Sequence, residues 1–520
     1  MNKFKISAIS AACVIVFLCT GCGGGMNGTE GISTRDHASP EEVIELNALI
    51  IGDKPSEGMD KFYEQLDALT REELGCVVRF TYVPWGDERY RINLAVSSGE
   101  YDLVPGGVFS DYRDLALKNA FVDLNEYLYL VPDLKDHYMV DGVNTLEQCE
   151  IDGGLFGIPQ FTGYGKVKFE GGFFYREDLR KKWGLDPIVD LQSMEEYMYM
   201  AKEQDEYEST ITDNRMWMSL WDMMYTDQYS YISSFMENPW VAVLAGDPAE
   251  AVSVTETGEF YEVLEYMQKW YRDGLITPNI LAVSDNEGTN GMSMMDLGEK
   301  PCETNATFPA ISKYWINSLS EKHPTWEFGY FDYYLGRSYP YKQSLGNNTV
   351  VSILSKSKNI GTALRFLEKV HTDIRYYKLL AYGVEGIHYQ LKDDKIVNLD
   401  GRGFSSMTGI SDDMLEISRY YYDDRWGELE NSLKSLAAAL ASEAEFYPLE
   451  GFTINNLTVE EIKNQLDQVF YKYFKPLICG VTEDLEADYQ AALSKAKEAG
   501  LDDYITEIQQ QIDDYLRKAE

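Results

Sequence analysis

The chain has 520 residues, 44% hydrophobic and 25% charged, an ordinary globular balance and long enough to bury two or more cores. Its 46 Lys and Arg stand against 86 Asp and Glu, and the resulting net charge of −40 is spread along the chain. Such a field repels phosphate backbones and argues against nucleic acid as a partner. Beyond the first two dozen residues no apolar run reaches the roughly 18 residues that a membrane helix needs.

The chain opens MNKFKISAISAACVIVFLCTGC. Lys3 and Lys5 precede an apolar run from Ile6 to Leu18, and small residues precede Cys22. That is the layout of a secretory signal, too short for a permanent span. With a cysteine directly after the small residues, the stretch resembles a bacterial lipoprotein signal. It departs from the usual pattern at Cys19, where Leu is customary, with Leu18 one step earlier. The resemblance implies a signal over residues 1–21 and a lipid on Cys22. Residues 22–42, rich in Gly, Ser, Thr and Asp, then form a flexible tether. The body is expected on the outer face of the bacterial cell membrane. Of the remaining cysteines, Cys76, Cys149, Cys302 and Cys479 are far apart and lack metal-ligand spacing. They allow two disulfides in three pairings or four separate buried thiols, and a chain of this size favours the thiols.

In chain order, Asn47–Gly52 is an apolar run suited to a buried strand. Met59, Phe62, Tyr63, Leu66, Leu69 and Leu74 recur at helical spacing, and Gly75 closes the helix as a C-cap. Val77–Val83 alternates and is rich in β-formers. A loop at Pro84-Trp85-Gly86, a helix from Tyr90 to Val96 and a strand at Tyr101–Val104 follow. Strand–helix–strand–helix–strand is the signature of a parallel sheet with crossover helices. Ligands bind outside the carboxyl ends of such strands, which draws attention to residues 84–87 and 106–112.

At this point the chain resembles the opening lobe of family 1 extracellular solute-binding proteins, the sugar-capturing lipoproteins of ABC importers. The resemblance rests on ELGCVVRFTYVPWGDERYRINLAVSSGEYDLV and on three later blocks. Asp152–Pro159 is similar to the family's G-K-x-Y-G-I-P strand before the hinge. Gly172–Leu179 is similar to its x-x-Y-R-K-D-L strand after it, and Ser355–Asn359 with Ala363, Phe366 and Leu367 to its S-K-N-x-E-A-A-x-x-F-L block. Leu380–Tyr389 is similar to the Y-G-x-E-G-x-H-Y run of a large lipoprotein subgroup that includes aldouronate and alginate-oligosaccharide binders. Together the blocks cover about residues 45–516. The glycines of Tyr382–Tyr389 permit a tight turn that leaves Glu385 and Tyr389 free to face a cleft.

The middle of the chain is rich in aromatics. Met194, Tyr197, Met198 and Met200 form a core stripe, and Trp217, Trp221, Tyr225 and Tyr229 recur every four residues, a spacing more often core than ligand platform. Phe260, Val263, Leu264, Met267, Trp270 and Leu275 read as a packed helix closed at Gly274. Asp285–Gly288 lacks the register of a calcium loop. Leu485, Tyr489, Leu493 and Ala496, then Leu501, Ile505, Ile508, Ile512 and Leu516, predict two amphipathic helices packed as a hairpin.

No G-x-S-x-G, H-E-x-x-H or glycine-rich phosphate loop is present, so an enzyme is not expected. A glycosidase-like enzyme, which needs only two facing carboxylates, is the competing class. A sensory or adhesive lipoprotein is the third.

The resemblance implies an α/β, two-lobed periplasmic-binding-protein (type II) fold, each lobe a mainly parallel sheet flanked by helices, with a helical C-terminal extension. One lobe is expected to comprise residues 43–160 and 329–371, the other 161–328 and 372–520. An oligosaccharide is held between them without cofactor or metal, and the closed monomer docks on ABC permease subunits. Aromatics suit the flat faces of sugars, and Asp, Asn, Glu and Arg suit their hydroxyls. The ligand candidates are Trp85, Phe109, Asp111, Tyr112, Phe161, Tyr164, Asn305, Glu385 and Tyr389, each at an expected strand end or hinge.

Trp85 makes the expectation testable. Between Pro84 and Gly86, in a short loop at the carboxyl edge of a parallel sheet, it either caps the lobe's core or faces the cleft. As a cleft residue, Trp85→Ala weakens oligosaccharide binding by about 1–3 kcal/mol with little change in melting temperature. As a core residue it costs about 3–5 kcal/mol in folding and leaves affinity intact. Calorimetric titration and thermal denaturation of this one variant separate the two.

Overall fold

The computed structural model describes residues 43–519, apart from 53, 85–86, 108–109, 141–142, 161–170, 205–206, 233–237, 284–289, 334–340, 343–348, 400–428 and parts of 307–321 and 430–453. Cys22, Trp85, Phe109, Phe161 and Tyr164 lie outside the described residues.

The first lobe begins with β1 (Ile44–Ile51), α1 (Met59–Leu74), β2 (Cys76–Val83), α2 (Glu88–Ser98), β3 (Leu103–Pro105) and α3 (Tyr112–Leu117). β1 pairs in parallel with β2 along its whole length and with β3 on its other side. Gly75 and Gly99 end α1 and α2 in the left-handed region, at φ 67° and 69°. Two more strands complete the sheet, β4 (Ile158–Pro159) and β11 (Val350–Ile353), in the order β2-β1-β3-β11-β4, and β11 runs antiparallel to both neighbours. Alternation along β1 puts Leu46, Ala48 and Ile50 on one face and Leu49 on the other, and both faces are covered. α1 and α7 (Ile360–Thr372) supply Phe62, Leu66, Phe366, Leu367 and Val370 to the first face. Ile92, Ala95, Tyr112 and Phe121 cover the second.

The second lobe is built on β5 (Gly172–Arg176), flanked by β9 (Cys302–Ala306) and β10 (Phe328–Asp332). Both neighbours run antiparallel to β5, so the parallel order expected of this lobe is not found in these three strands. A separate antiparallel hairpin sheet comprises β6 (Tyr229–Tyr231), β7 (Val241–Leu244) and β8 (Asp247–Ser253). The core collects Phe173 and Tyr175 of β5, Met194, Tyr197 and Met198 of α4 (Leu191–Glu203), Trp217 and Trp221 of α5 (Met216–Tyr225), and Phe260, Met267 and Trp270 of α6 (Gly258–Arg272). The aromatic repeat of four is therefore core, with one difference. α5 stops at Tyr225, and Tyr229 opens β6, where its ring still meets Trp221 at 5.2 Å.

The C-terminal helices α9 (Glu460–Val469), α10 (Leu485–Glu498) and α11 (Leu501–Ala519) pack on this same core through Leu466, Tyr489, Ala492, Tyr504, Ile508 and Ile512. α11 also shields a sheet edge. Gln509 accepts from the Ala251 N–H at 2.8 Å and donates to the Ala249 carbonyl at 2.6 Å, satisfying backbone groups of edge strand β8. The four cysteines are buried free thiols.

The lobes join differently from expectation. Strand β10, placed by the sequence reading in the first lobe from residue 329, hydrogen-bonds to β5 in the second. The chain therefore returns to the first lobe between Tyr333 and Thr349. Nor does the second lobe begin again at residue 372. α8 (Ile374–Tyr382) gives Tyr376, Leu379 and Leu380 to the first core. Its Tyr377, Ala381 and Tyr382 pack with Phe174 and Tyr330 of the second sheet.

Two glycines test the packing of the C-terminal extension. Gly184 and Gly480 both follow helices with φ near 72° and 75°. A Cβ at Gly184 meets nothing within 4 Å, whereas one at Gly480 would lie 2.1 Å from the Met267 carbonyl oxygen in α6. Gly184→Ala is expected to cost about 1 kcal/mol, the left-handed penalty alone. Gly480→Ala adds about 1–3 kcal/mol of overpacking, because the obstacle is backbone. Equal melting temperatures for the two variants would contradict this packing.

Candidate functional site

The carboxyl ends of β1, β2 and β3 form the first rim. Gly52 N–H bonds the Val83 carbonyl at 2.8 Å, which carries the sheet one residue past β1 before the chain turns toward α1. The loop ahead of α1 is tied to the Gly383–Tyr389 turn through His388. Its Nδ1 accepts from the Val384 N–H at 2.9 Å, so the ring proton sits on Nε2 and is donated to the Glu57 carbonyl at 2.9 Å. Gly58, at φ 75°, has no space for a side chain, since a Cβ would lie 2.6 Å from Ile387 and 2.8 Å from the His388 ring. Glu385 stands exposed on this pinned turn. Tyr389 belongs to the cluster that holds Phe174 and Tyr330. It is buried and meets Tyr382 edge-on at 6.0 Å.

The other two loops of this rim are joined by an ion pair between Arg89, in the first turn of α2, and Asp111, at the start of α3. Both side chains are about half exposed, so the pair orients the loops more than it stabilises them. Tyr112, the next residue, is a core residue. It is 6% exposed and stacks on Phe121 at 5.8 Å. A tyrosine at a helix start can fill a core or a cleft equally well, and here the helix turns its ring under the sheet.

Two of the motifs behind the family resemblance serve structure at the opposite end of the sheet. Asp102 accepts from Asn47 N–H at 2.9 Å, Ser357 Oγ at 2.6 Å and Asn359 Nδ2 at 3.2 Å. The Asp-led strand and the Ser-Lys-Ser-Lys-Asn block are thus halves of one hydrogen-bonded node.

The second rim is the end of the second sheet where β5 enters from the crossover, so that Gly172 lies opposite Ala306 and Asp332. Asn305 sits here, and its Nδ2 donates to Asp213 Oδ2 at 3.2 Å. Arg215 holds the same carboxylate with Nε at 2.9 and 3.1 Å and Nη2 at 2.5 Å. Burial pushes the Asp213 carboxyl up, but the Arg215 hydrogen bonds and charge outweigh it and hold the group below the usual carboxylate range. Asp213 and Arg215 escaped the sequence reading because two charged residues two apart before a helix carry no periodic signal. Among the described residues no group of three or more His, Cys, Asp or Glu is placed to hold a metal ion.

Two crossovers connect the rims. Gln160 N–H bonds the Thr349 carbonyl at 2.8 Å on the first-lobe side, and Tyr333 N–H bonds the Gly171 carbonyl at 2.9 Å on the second-lobe side. The two crossing segments thus leave each sheet side by side, as neighbouring antiparallel strands. Over 91% of this chain and 99% of the other, the structure superposes with a TM-score of 0.69 and 21% identity on the N-glycan transport solute-binding protein NgtS of Streptococcus pneumoniae, solved with Man1GlcNAc. The chain has the two-lobed fold of the solute-binding proteins. It is 24% identical, over 99% of both chains, to a carbohydrate ABC transporter substrate-binding protein of Streptococcus pneumoniae. It is 21% identical, over 76% of both chains, to the polygalacturonan/rhamnogalacturonan-binding protein YtcQ of Bacillus subtilis. Residues 448–517 match a family model described as a domain of unknown function, DUF3502. In this structure that segment covers the C-terminal helices packed on the second-lobe core.

Proposed function

We propose that the chain is the substrate-binding component of an ABC importer for an oligosaccharide, which it takes up between the lobes and delivers unchanged to a membrane permease. The observation that carries this reading is the double crossover between two polar rims, found in a chain similar along 99% of its length to a carbohydrate-transport binding protein. Exposed Glu385 and the Arg89–Asp111 pair offer hydrogen-bonding groups from one side, and Asp213, Arg215 and Asn305 from the other. Trp85, Phe109, Phe161 and Tyr164 supply the aromatic faces in this reading. A ligand touching both rims favours the closed form by its differential affinity for it. The protein acts as a monomer and is tethered by a lipid on Cys22. No helix among the described residues is long and apolar enough to cross a membrane, so in this reading the anchor holds it at the surface.

Thermal-shift screening of an oligosaccharide panel, followed by calorimetry and chromatography of the recovered sugar, tests the binding role. A true ligand at 100 times its Kd adds about 2.7 kcal/mol of stability and is recovered intact. Cleaved sugar, or a panel with no stabilising member, contradicts it. In the same preparation Cys22→Ser should leave the membrane fraction or stay unprocessed, and fully processed variant on the membrane contradicts the anchor.

A further inference from the structure

Strand β9 carries an irregularity where the second rim begins. Glu303 pairs with Phe174 and Ala306 with Gly172, so three steps on one strand oppose two on the other. Thr304 and Asn305 bulge out of the ladder between them. Bulges re-aim side chains, and their unladdered backbone groups need other partners. Here the partners come from a buried ion pair. Glu303 Oε1 accepts from the N–H groups of Thr304 at 2.9 Å and Asn305 at 3.2 Å. Its Oε2 accepts from Lys300 Nζ at 3.0 Å, and the two side chains are 2% and 0% exposed. The Tyr333 hydroxyl donates to the Thr304 carbonyl at 2.7 Å.

Lys300 Nζ also donates to Thr212 Oγ1 at 2.8 Å, and Thr212 directly precedes Asp213. The contacts close a ring. Lys300 fixes the segment that bears Asp213, Glu303 fixes the backbone of Asn305, and Asn305 bonds Asp213 across the gap. A fully desolvated Lys–Glu pair is poor value for stability, since apolar residues of similar volume commonly serve as well. Its contacts point instead to placement. We infer that the Lys300–Glu303 pair is a positioning device that presents the Asn305–Asp213–Arg215 array to the hydroxyls of a neutral pyranose held against the second lobe. The array mixes donors and acceptors, and its cation is already matched by a carboxylate, which suits neutral hydroxyl pairs better than an acidic sugar. The inference rests on the proposed oligosaccharide-binding role and names residues and sugar chemistry within it.

The experiment uses the full chain and a fixed probe set of maltotriose, cellotriose, mannotriose, xylotriose and triacetylchitotriose, with trigalacturonate as the acidic counterpart. The tightest neutral probe is carried into calorimetry with three variants. Asn305→Ala is expected to lose at least about tenfold in affinity. Lys300→Met with Glu303→Leu removes the device without stranding a charge, so it should melt cooperatively and yet lose a similar factor. Lys300→Met with Glu303→Gln keeps an acceptor for the two N–H groups of the bulge but not the Thr212 contact, so it should recover part of the loss, binding between the wild type and the Met/Leu variant. A merely structural pair would not distinguish the last two variants by affinity. Wild-type affinity in Asn305→Ala or in the Met/Leu variant overturns the inference and leaves the transport role standing. Preference for trigalacturonate overturns the sugar chemistry alone, and failure of every probe to bind the unaltered protein counts against the transport role and takes this inference with it.

Discussion

The structure depends on two antiparallel strand pairs, one in each sheet, from which the chain crosses between the lobes. In the first sheet β4 lies beside β11, and in the second β5 lies beside β10. At the inner ends the backbone bonds of Gln160 to Thr349 and Tyr333 to Gly171 hold the two chains together as they leave each lobe. Two crossovers that start from neighbouring points restrict sliding of one lobe along the other. They leave rotation open, the motion by which hinged lobes close. α8 adds a third connection with a different character. Its faces belong to two cores, so lobe movement must be absorbed at the packing of Tyr377, Ala381 and Tyr382 against Phe174 and Tyr330.

That constraint explains where polar groups are kept. Away from the join the lobes are apolar inside and use hydrogen-bonded nodes such as Asp102 to tie distant segments. At the join, polar side chains fix the backbone that carries other polar side chains. His388 pins the turn that carries Glu385, and the Lys300–Glu303 pair satisfies the bulge that carries Asn305. Arrays held in this way are already shaped before a ligand arrives, so less of the binding free energy goes into ordering them. The C-terminal helices, by contrast, sit on the core of the second lobe and shield the β8 edge through Gln509.

Local physics was readable from the sequence where period and punctuation agree. The apolar runs and capping glycines of α1 and α2 predicted the first lobe's opening order, and spacing by three and four predicted the terminal helix pair. The isolated cysteines proved to be buried thiols. What was not readable depends on contacts between distant segments. Phe328–Asp332 looks like any short strand, and only its pairing with Gly172–Arg176 assigns it to the second lobe. Tyr112 and Tyr389 have the composition of ligand contacts but are core residues, because a tyrosine's apolar ring and polar tip fit either place. The bulge at Thr304–Asn305 leaves no mark in composition, and Asp213 gains its meaning from Asn305, 92 residues away.

The central claim is that two lobes close on a sugar about the crossovers that join them. Small-angle X-ray scattering of the protein, free and saturated with an oligosaccharide whose occupancy calorimetry has established, tests it most directly. The hinge predicts a smaller radius of gyration and a shorter maximum dimension in the bound state. Identical profiles at full occupancy would contradict closure and leave the protein a rigid binder.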